Sequence, residues 1–221
     1  MITVEQAHTI LSDSTHLLES EILRVDESVG RVLAHDVLSG INMPPFPQSA
    51  LDGYALGQGD LNTGSKFTVV GESAAGNDRT FQLNENEAIR IFTGAPVPET
   101  ATAVVQQEWI ERDGNMISLS CDVAEQMHIR PQGEQLKKGD VALHKGDLIN
   151  AAAVGLLSMI GATQVSVHKI PKVKVLVTGN ELVKPGAELK HGQVYESNSA
   201  MLLAALRKEG ILASGSTVAD D

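Results

Sequence analysis

The chain is 221 residues long, enough for one large domain or two modest ones, and its 42% hydrophobic content is that of a globular protein. Aromatic residues make up 3%, so Val, Leu, Ile and Ala must fill the core, and clustered rings for stacking on bases are absent. The formal charge of -11 lacks the positive field that a phosphate backbone requires, so nucleic acid is excluded as a partner and any anionic substrate must be met locally. Backbone amides, a few cationic side chains or a carboxylate-held Mg2+ can each do that.

Met1 leads into Thr3-Val4-Glu5-Gln6, which reads as a capping box between Thr3 and Gln6, not as a basic and apolar signal peptide. Val4, Ala7, Ile10 and Leu11 then repeat at helical spacing, and the helix is expected to end at 12–14. A strand is predicted over 21–25, then a brief helix capped by Asp26 and reaching Val32, then extended chain over 33–38. Met43-Pro44-Pro45-Phe46-Pro47 is a dense turn signal. Beyond it, apolar runs at 67–71, 88–92, 103–110 and 116–119 are separated by turn residues, and Asp113-Gly114-Asn115 supplies a hairpin turn.

Asn150 is placed to cap a helix over 151–160 that Gly161 closes, with a strand to follow over 164–167. After Pro171 come a continuous apolar strand over 173–177, a helix over 199–208 and a strand over 211–218, the opening of a β-α-β unit. Two strands and one helix cannot cover both faces of a parallel sheet, so this last domain is expected to be incomplete. No apolar run reaches the roughly 18 residues that a membrane-crossing helix needs. Cys121, the sole cysteine, excludes an internal disulfide or a thiolate metal cluster and is expected to lie buried in a strand. A cytoplasmic protein is the expectation.

These patterns imply a mixed α and β, multidomain fold. Residues 1–44 and 136–170 share helix-plus-strand patterns and are expected to form one discontinuous domain, with 45–135 inserted as a β-rich, barrel-like domain. Residues 171–221 begin a third, α/β domain.

P-loop and dinucleotide-binding glycine patterns are missing, the seven histidines show no metal-ligand spacing, and there is no serine nucleophile elbow. Three tight polar segments beside apolar runs remain. In 49–55, Asp52 precedes a glycine and reads either as a turn carboxylate or as a site acid. In 90–98, Gly and Pro impose a rigid loop after a strand, where amides and the Thr93 hydroxyl can face a ligand. Thr178-Gly179-Asn180-Glu181 falls at the carboxyl end of a strand, where open α/β sheets place ligands, so Glu181 reads either as a site acid or as a solvated loop acid.

With Gly30-Arg31-Val32-Leu33-Ala34-His35-Asp36-Val37, Pro44-Pro45-Phe46, Ala103-Val104-Val105-Gln106-Gln107-Glu108, Gly133-Glu134 and Ser197-Asn198, these strings run in order along nearly the whole chain. The sequence resembles the molybdopterin molybdotransferase family, which includes bacterial MoeA and the E domain of gephyrin. The resemblance implies an elongated four-domain subunit that forms a homodimer, each cleft lying between the third domain of one subunit and the second of the other. It implies adenylylated molybdopterin and molybdate as substrates, molybdenum cofactor and AMP as products, and a divalent cation, usually Mg2+, as cofactor. Molybdopterin adenylyltransferase and molybdoenzymes are the implied partners.

By position the resemblance carries Asp52, Thr93 and Glu181 to catalytic places, and Ser49, Gly94, Thr178, Gly179 and Asn198 to places that bind the pterin substrate. Asp52, Glu181 and Asp220 become metal ligands. Carboxylates would hold the ion against the pyrophosphate, while Thr93 and nearby amides would orient an oxyanion. Family members often read Gly-Glu-Asp and Thr-Gly-Asp-Glu where this chain has Gly133-Glu134-Gln135 and Thr178-Gly179-Asn180-Glu181. Each change replaces a carboxylate by an amide, removing charge and a strong metal ligand but keeping hydrogen-bonding ability. The family's third domain also continues through a Ser-Gly-Gly-Val-Ser segment into a fourth, β-rich domain, and neither follows Asp221, so this chain by itself is expected to be catalytically silent. The rival reading is a non-catalytic scaffold that uses the same fold for dimerisation and partner docking.

Overall fold

The computed structural model describes residues 2–76 and 80–218. The fold is mixed α and β and strand-rich, and the chain divides into two compact units, residues 38–142 and the segments before and after them.

In residues 38–142 a curled six-stranded sheet carries the core. Its spatial order is Ala103–Gln106, Gly53–Leu56, Glu87–Ile91, Lys66–Ser73, Met116–Leu119 and Ile110–Asp113. All neighbours are antiparallel except Lys66–Ser73 and Glu87–Ile91, which run parallel with a register shift between Val69 and Gly71. Side chains alternate across a strand, and here both sides are covered. Tyr54, Leu56, Phe67, Ala88, Val105 and Ile117 share one cluster, while Ala55, Ile89, Ile91 and Val104 share another with Ala95 and Val97. Burying each Phe, Leu or Ile in this way stabilises by about 1.5–3 kcal/mol.

The Gly53–Leu56 strand, second from one edge of the sheet, was not among the predicted runs. Asp52-Gly53 has the composition of a turn, but Gly53 is needed for another reason. A Cβ there would stand 1.9 Å from the Val105 carbonyl oxygen, so only glycine lets the two backbones approach. The predicted 103–110 run is broken by a 3-10 turn at Gln107–Trp109. The hairpin at Asp113-Gly114-Asn115 forms as expected, with Asp113 opposite Met116 and Gly114 at φ 60°. Cys121 is half-buried in a bend after Met116–Leu119, not buried in a strand, because the chain has already left the sheet there.

In the other unit, Ser20–Arg24 pairs antiparallel with Gln164–His168, Arg24 opposite Gln164, so segments far apart in sequence share one small sheet. Helix α1 (Val4–Ser14) starts with the expected reciprocal Thr3–Gln6 capping box, and none of its residues is buried. Asp26 does not cap a helix reaching Val32: Val25–Glu27 is a single 3-10 turn, and both Asp26 carboxylate oxygens accept from the Arg24 guanidinium. Of the extended chain expected over 33–38, only Val37–Leu38 is a strand. Helix α2 (Ala151–Met159) is capped by the Asn150 side chain, which accepts from the Ala153 amide at 2.9 Å.

Val173–Thr178 and Ala213–Val218 are parallel and joined through α3 (Asn198–Lys208), the expected β-α-β unit. Val175 and Val177 are buried but Leu176 is 59% exposed, so this strand is covered on one face, not on both. A short parallel pair, Leu182–Val183 with Val194–Tyr195, was too brief to leave a periodic signal.

Candidate functional site

Asp52 immediately precedes the Gly53–Leu56 strand, and the register Gly53 opposite Ile91 brings it beside the turn that follows Glu87–Ile91. There its Oδ1 accepts from the Thr93 amide and from Thr93 Oγ1, both at 2.8 Å. Both donors favour the charged form, with the Thr93 amide first, the hydroxyl second and the nearby Arg90 charge adding to them. They outweigh desolvation and hold the Asp52 carboxyl below the usual carboxylate range. Asp52 is exposed, and Oδ2 receives no hydrogen bond from any described residue.

Ser49 and Gly94 clamp the two loops together. The Gly94 amide donates to the Ser49 carbonyl at 2.9 Å, and the Ser49 amide donates to the Ala95 carbonyl at 3.0 Å. Gly94 has φ 78°, the left-handed conformation that this turn requires. The Ser49 side chain is 1% exposed, and its hydroxyl donates to the Leu51 carbonyl at 2.6 Å, so the residue shapes the Asp52 loop from inside.

Two residues that sequence reasoning passed over complete this group. Arg90 donates to the Gly53 carbonyl at 3.3 Å and to Gln107 Oε1 at 2.5 Å, and the Gln107 amide donates to the Asp52 carbonyl at 3.4 Å. The available signal was a cation within the apolar 88–92 run, one residue out of phase with Ile89 and Ile91.

The remaining candidates lie in the other unit. Thr178 ends its strand, and Gly179 follows at φ 148°. A Cβ on Gly179 would come within 2.8 Å of both Glu181 carboxylate oxygens, so that exposed carboxylate folds back over the glycine. The Glu181 carbonyl is tied down by the Val194 amide at 2.9 Å.

Asn198 opens α3, whose N-terminus is capped by Glu196 and not by the neighbouring Ser197. The Glu196 carboxylate is 7% exposed and accepts from the Ser199 hydroxyl and, at 2.7 Å, from the Ser199 amide. The hydroxyl first, then the Ser199 amide, with the Asn198 amide also contributing, hold its carboxyl below the usual range against the opposing effect of burial. Asp220 lies outside the described residues. Gln135 is exposed, and its amide donates to the Met43 carbonyl at 2.9 Å. Among the described residues no group of three or more His, Cys, Asp or Glu side chains is arranged to hold a metal ion.

Residues 2–161 match the family model for the MoeA N-terminal region, domains I and II. The chain belongs to the MoeA family. It is 37% identical over 211 residues to the molybdopterin molybdenumtransferase of Haemophilus influenzae, covering 94% of this chain and 52% of that protein. It is 32% identical over 226 residues to molybdopterin molybdenumtransferase 2 of Mycobacterium tuberculosis, covering 100% and 56%. Among solved structures, the MoeA molybdopterin biosynthesis protein of Pyrococcus horikoshii superposes with a TM-score of 0.92 at 33% identity, covering all of this chain and 61% of that one. This MoeA-family chain thus spans about half the length of the curated relatives it matches. None of its helices, among the described residues, is long and apolar enough to cross a membrane.

Proposed function

We propose that this chain is part of a molybdopterin molybdotransferase of molybdenum cofactor biosynthesis, the complete protein inserting molybdate into adenylylated molybdopterin with release of AMP. The observation that carries the reading is the Asp52–Thr93 pair in a MoeA-family chain. One carboxylate oxygen is fixed by two donors, the other takes no hydrogen bond from a described residue, and the group is held ionised. Fixing the carboxylate before substrate arrives spares the reaction the entropy of ordering it.

Mg2+ suits these donors, because it is commonly held by one or two carboxylates together with substrate phosphates and water, and Asp52 and Glu181 each offer such a carboxylate. When bound, the ion would neutralise phosphate charge and polarise phosphorus. Glu181 and Asp220 are proposed as metal ligands on sequence position alone. Thr93 is assigned to holding Asp52 and not to an oxyanion, because its amide and hydroxyl both donate to that carboxylate and the Gly94 amide donates to the Ser49 carbonyl, while Thr178, Gly179 and Asn198 are assigned to the pterin substrate. The protein is proposed to work as a cytoplasmic homodimer, and a monomeric mass by light scattering at high micromolar concentration would count against that.

The deciding experiment is Asp52→Asn in the complete protein. Molybdate-dependent AMP release should fall more than about tenfold, equivalent to roughly 1.4 kcal/mol of transition-state stabilisation. Unchanged turnover with an unchanged Mg2+ optimum would return Asp52 to a turn residue. A non-catalytic scaffold is favoured by one observation, the amides Gln135 and Asn180 where family members often carry carboxylates. Restoring Asp at both positions separates the readings: a gain in AMP release supports the enzyme.

A further inference from the structure

We propose that Arg90 is a positioning residue for the Asp52–Thr93 pair. The proposal rests on the functional reading above only for what that geometry is used for. Three segments set the Asp52 carboxylate: the start of the Gly53–Leu56 strand, the turn after Glu87–Ile91, and the 3-10 turn Gln107–Trp109. Arg90 touches all three. Its Nη1 donates to the carbonyl of Gly53, the residue after Asp52, at 3.3 Å. Its Nη2 donates to Gln107 Oε1 at 2.5 Å, and Gln107 in turn holds the Asp52 carbonyl through its amide. The guanidinium carbon lies 5.1 Å from the Tyr54 ring centre and 5.3 Å from that of Phe92, the residue before Thr93.

This arrangement uses what a guanidinium has and an ammonium lacks. The planar fork reaches two acceptors on different segments while its carbon lies over two rings. Lysine would keep the positive charge near Asp52 but supplies a flexible point donor without the fork. Charge and geometry can therefore be separated experimentally. If proximity of a cation were all that mattered, Arg90→Lys would be benign. If the fork fixes the three segments, Arg90→Lys should behave almost as badly as Arg90→Met.

The test is residue-resolved amide hydrogen exchange on the 221-residue chain. Arg90→Lys and Arg90→Met should each speed exchange at the Thr93 and Gln107 amides by at least about tenfold, while Ala55 and Val104 in the sheet core stay at their wild-type rates. Wild-type rates at Thr93 and Gln107 in both variants would overturn the proposal. So would uniform acceleration that includes Ala55 and Val104, because Arg90 would then be supporting the whole unit and not the pair. A second readout uses the complete protein: Arg90→Lys should lower turnover about 10- to 100-fold, with KM changed by less than about twofold. A raised KM at unchanged turnover would make Arg90 a substrate-binding group and overturn its positioning role. Absence of AMP release from the wild-type protein would instead sink the functional reading, and the exchange result would still decide on Arg90.

Discussion

Gly53→Ala probes a close backbone approach in the sheet beside Asp52. The added Cβ would stand 1.9 Å from the Val105 carbonyl oxygen and 2.8 Å from its carbon, where ordinary contact begins at 3.4 Å. Both obstructing atoms are backbone, so no rotamer change relieves the clash, and the Gly53–Leu56 and Ala103–Gln106 strands must move apart. Overpacking of this kind costs about 1–3 kcal/mol, and weakening one or two ladder hydrogen bonds adds about 1 kcal/mol each. The expected total, about 2–5 kcal/mol, is a large part of the 5–15 kcal/mol typical of a folded domain.

Trp109 is the single tryptophan and packs against the core of the same unit, so its fluorescence in urea reads this unit's unfolding. The midpoint should fall by at least about 1 M. Gly155→Ala is a contrasting case in the other unit, read from the helical circular dichroism transition: Gly155 lies inside α2 with nothing within 4 Å of a built Cβ, and alanine there should stabilise by about 0.5–1 kcal/mol. A Gly53→Ala midpoint within about 0.3 M of wild type would refute the claim that close approach, and not a turn, fixes this glycine.

Phe67→Ala should cost about 3–5 kcal/mol in the same fluorescence assay, because the ring is fully buried and its removal leaves a cavity. Asn150→Ala should remove the α2 cap and cost about 1 kcal/mol, read from the helical circular dichroism transition. Glu196 has a lowered folded pKa, so its contribution to stability is fully present above its unfolded value, about 4.3, and is lost as pH falls through the folded value. Glu196→Gln should therefore flatten the acid side of the stability profile between pH 5 and pH 3, and an unchanged slope would contradict the capping role.

Sequence alone determined the elements whose cause is local. The Thr3–Gln6 capping box, the Asn150 cap of α2, the Gly114 hairpin and the helix between parallel strands each depend on neighbours within a few residues, which is why their spacing could be read. Asp52, Thr93 and Glu181 could be singled out as candidates, because they stand in short tight strings at strand ends and in the order that resembles the MoeA family.

Tertiary structure decided the rest, because its causes lie far apart in the chain. The Gly53–Leu56 strand was hidden by a turn-like dipeptide whose glycine answers to Val105. The Thr93 donors reach Asp52 across 41 residues and Arg90 reaches Gly53 across 37, so the geometry of the candidate site exists only once the sheet has set its register. Composition places a carboxylate in a loop, but pairing between distant strands decides which donors hold it and which oxygen is left for a ligand.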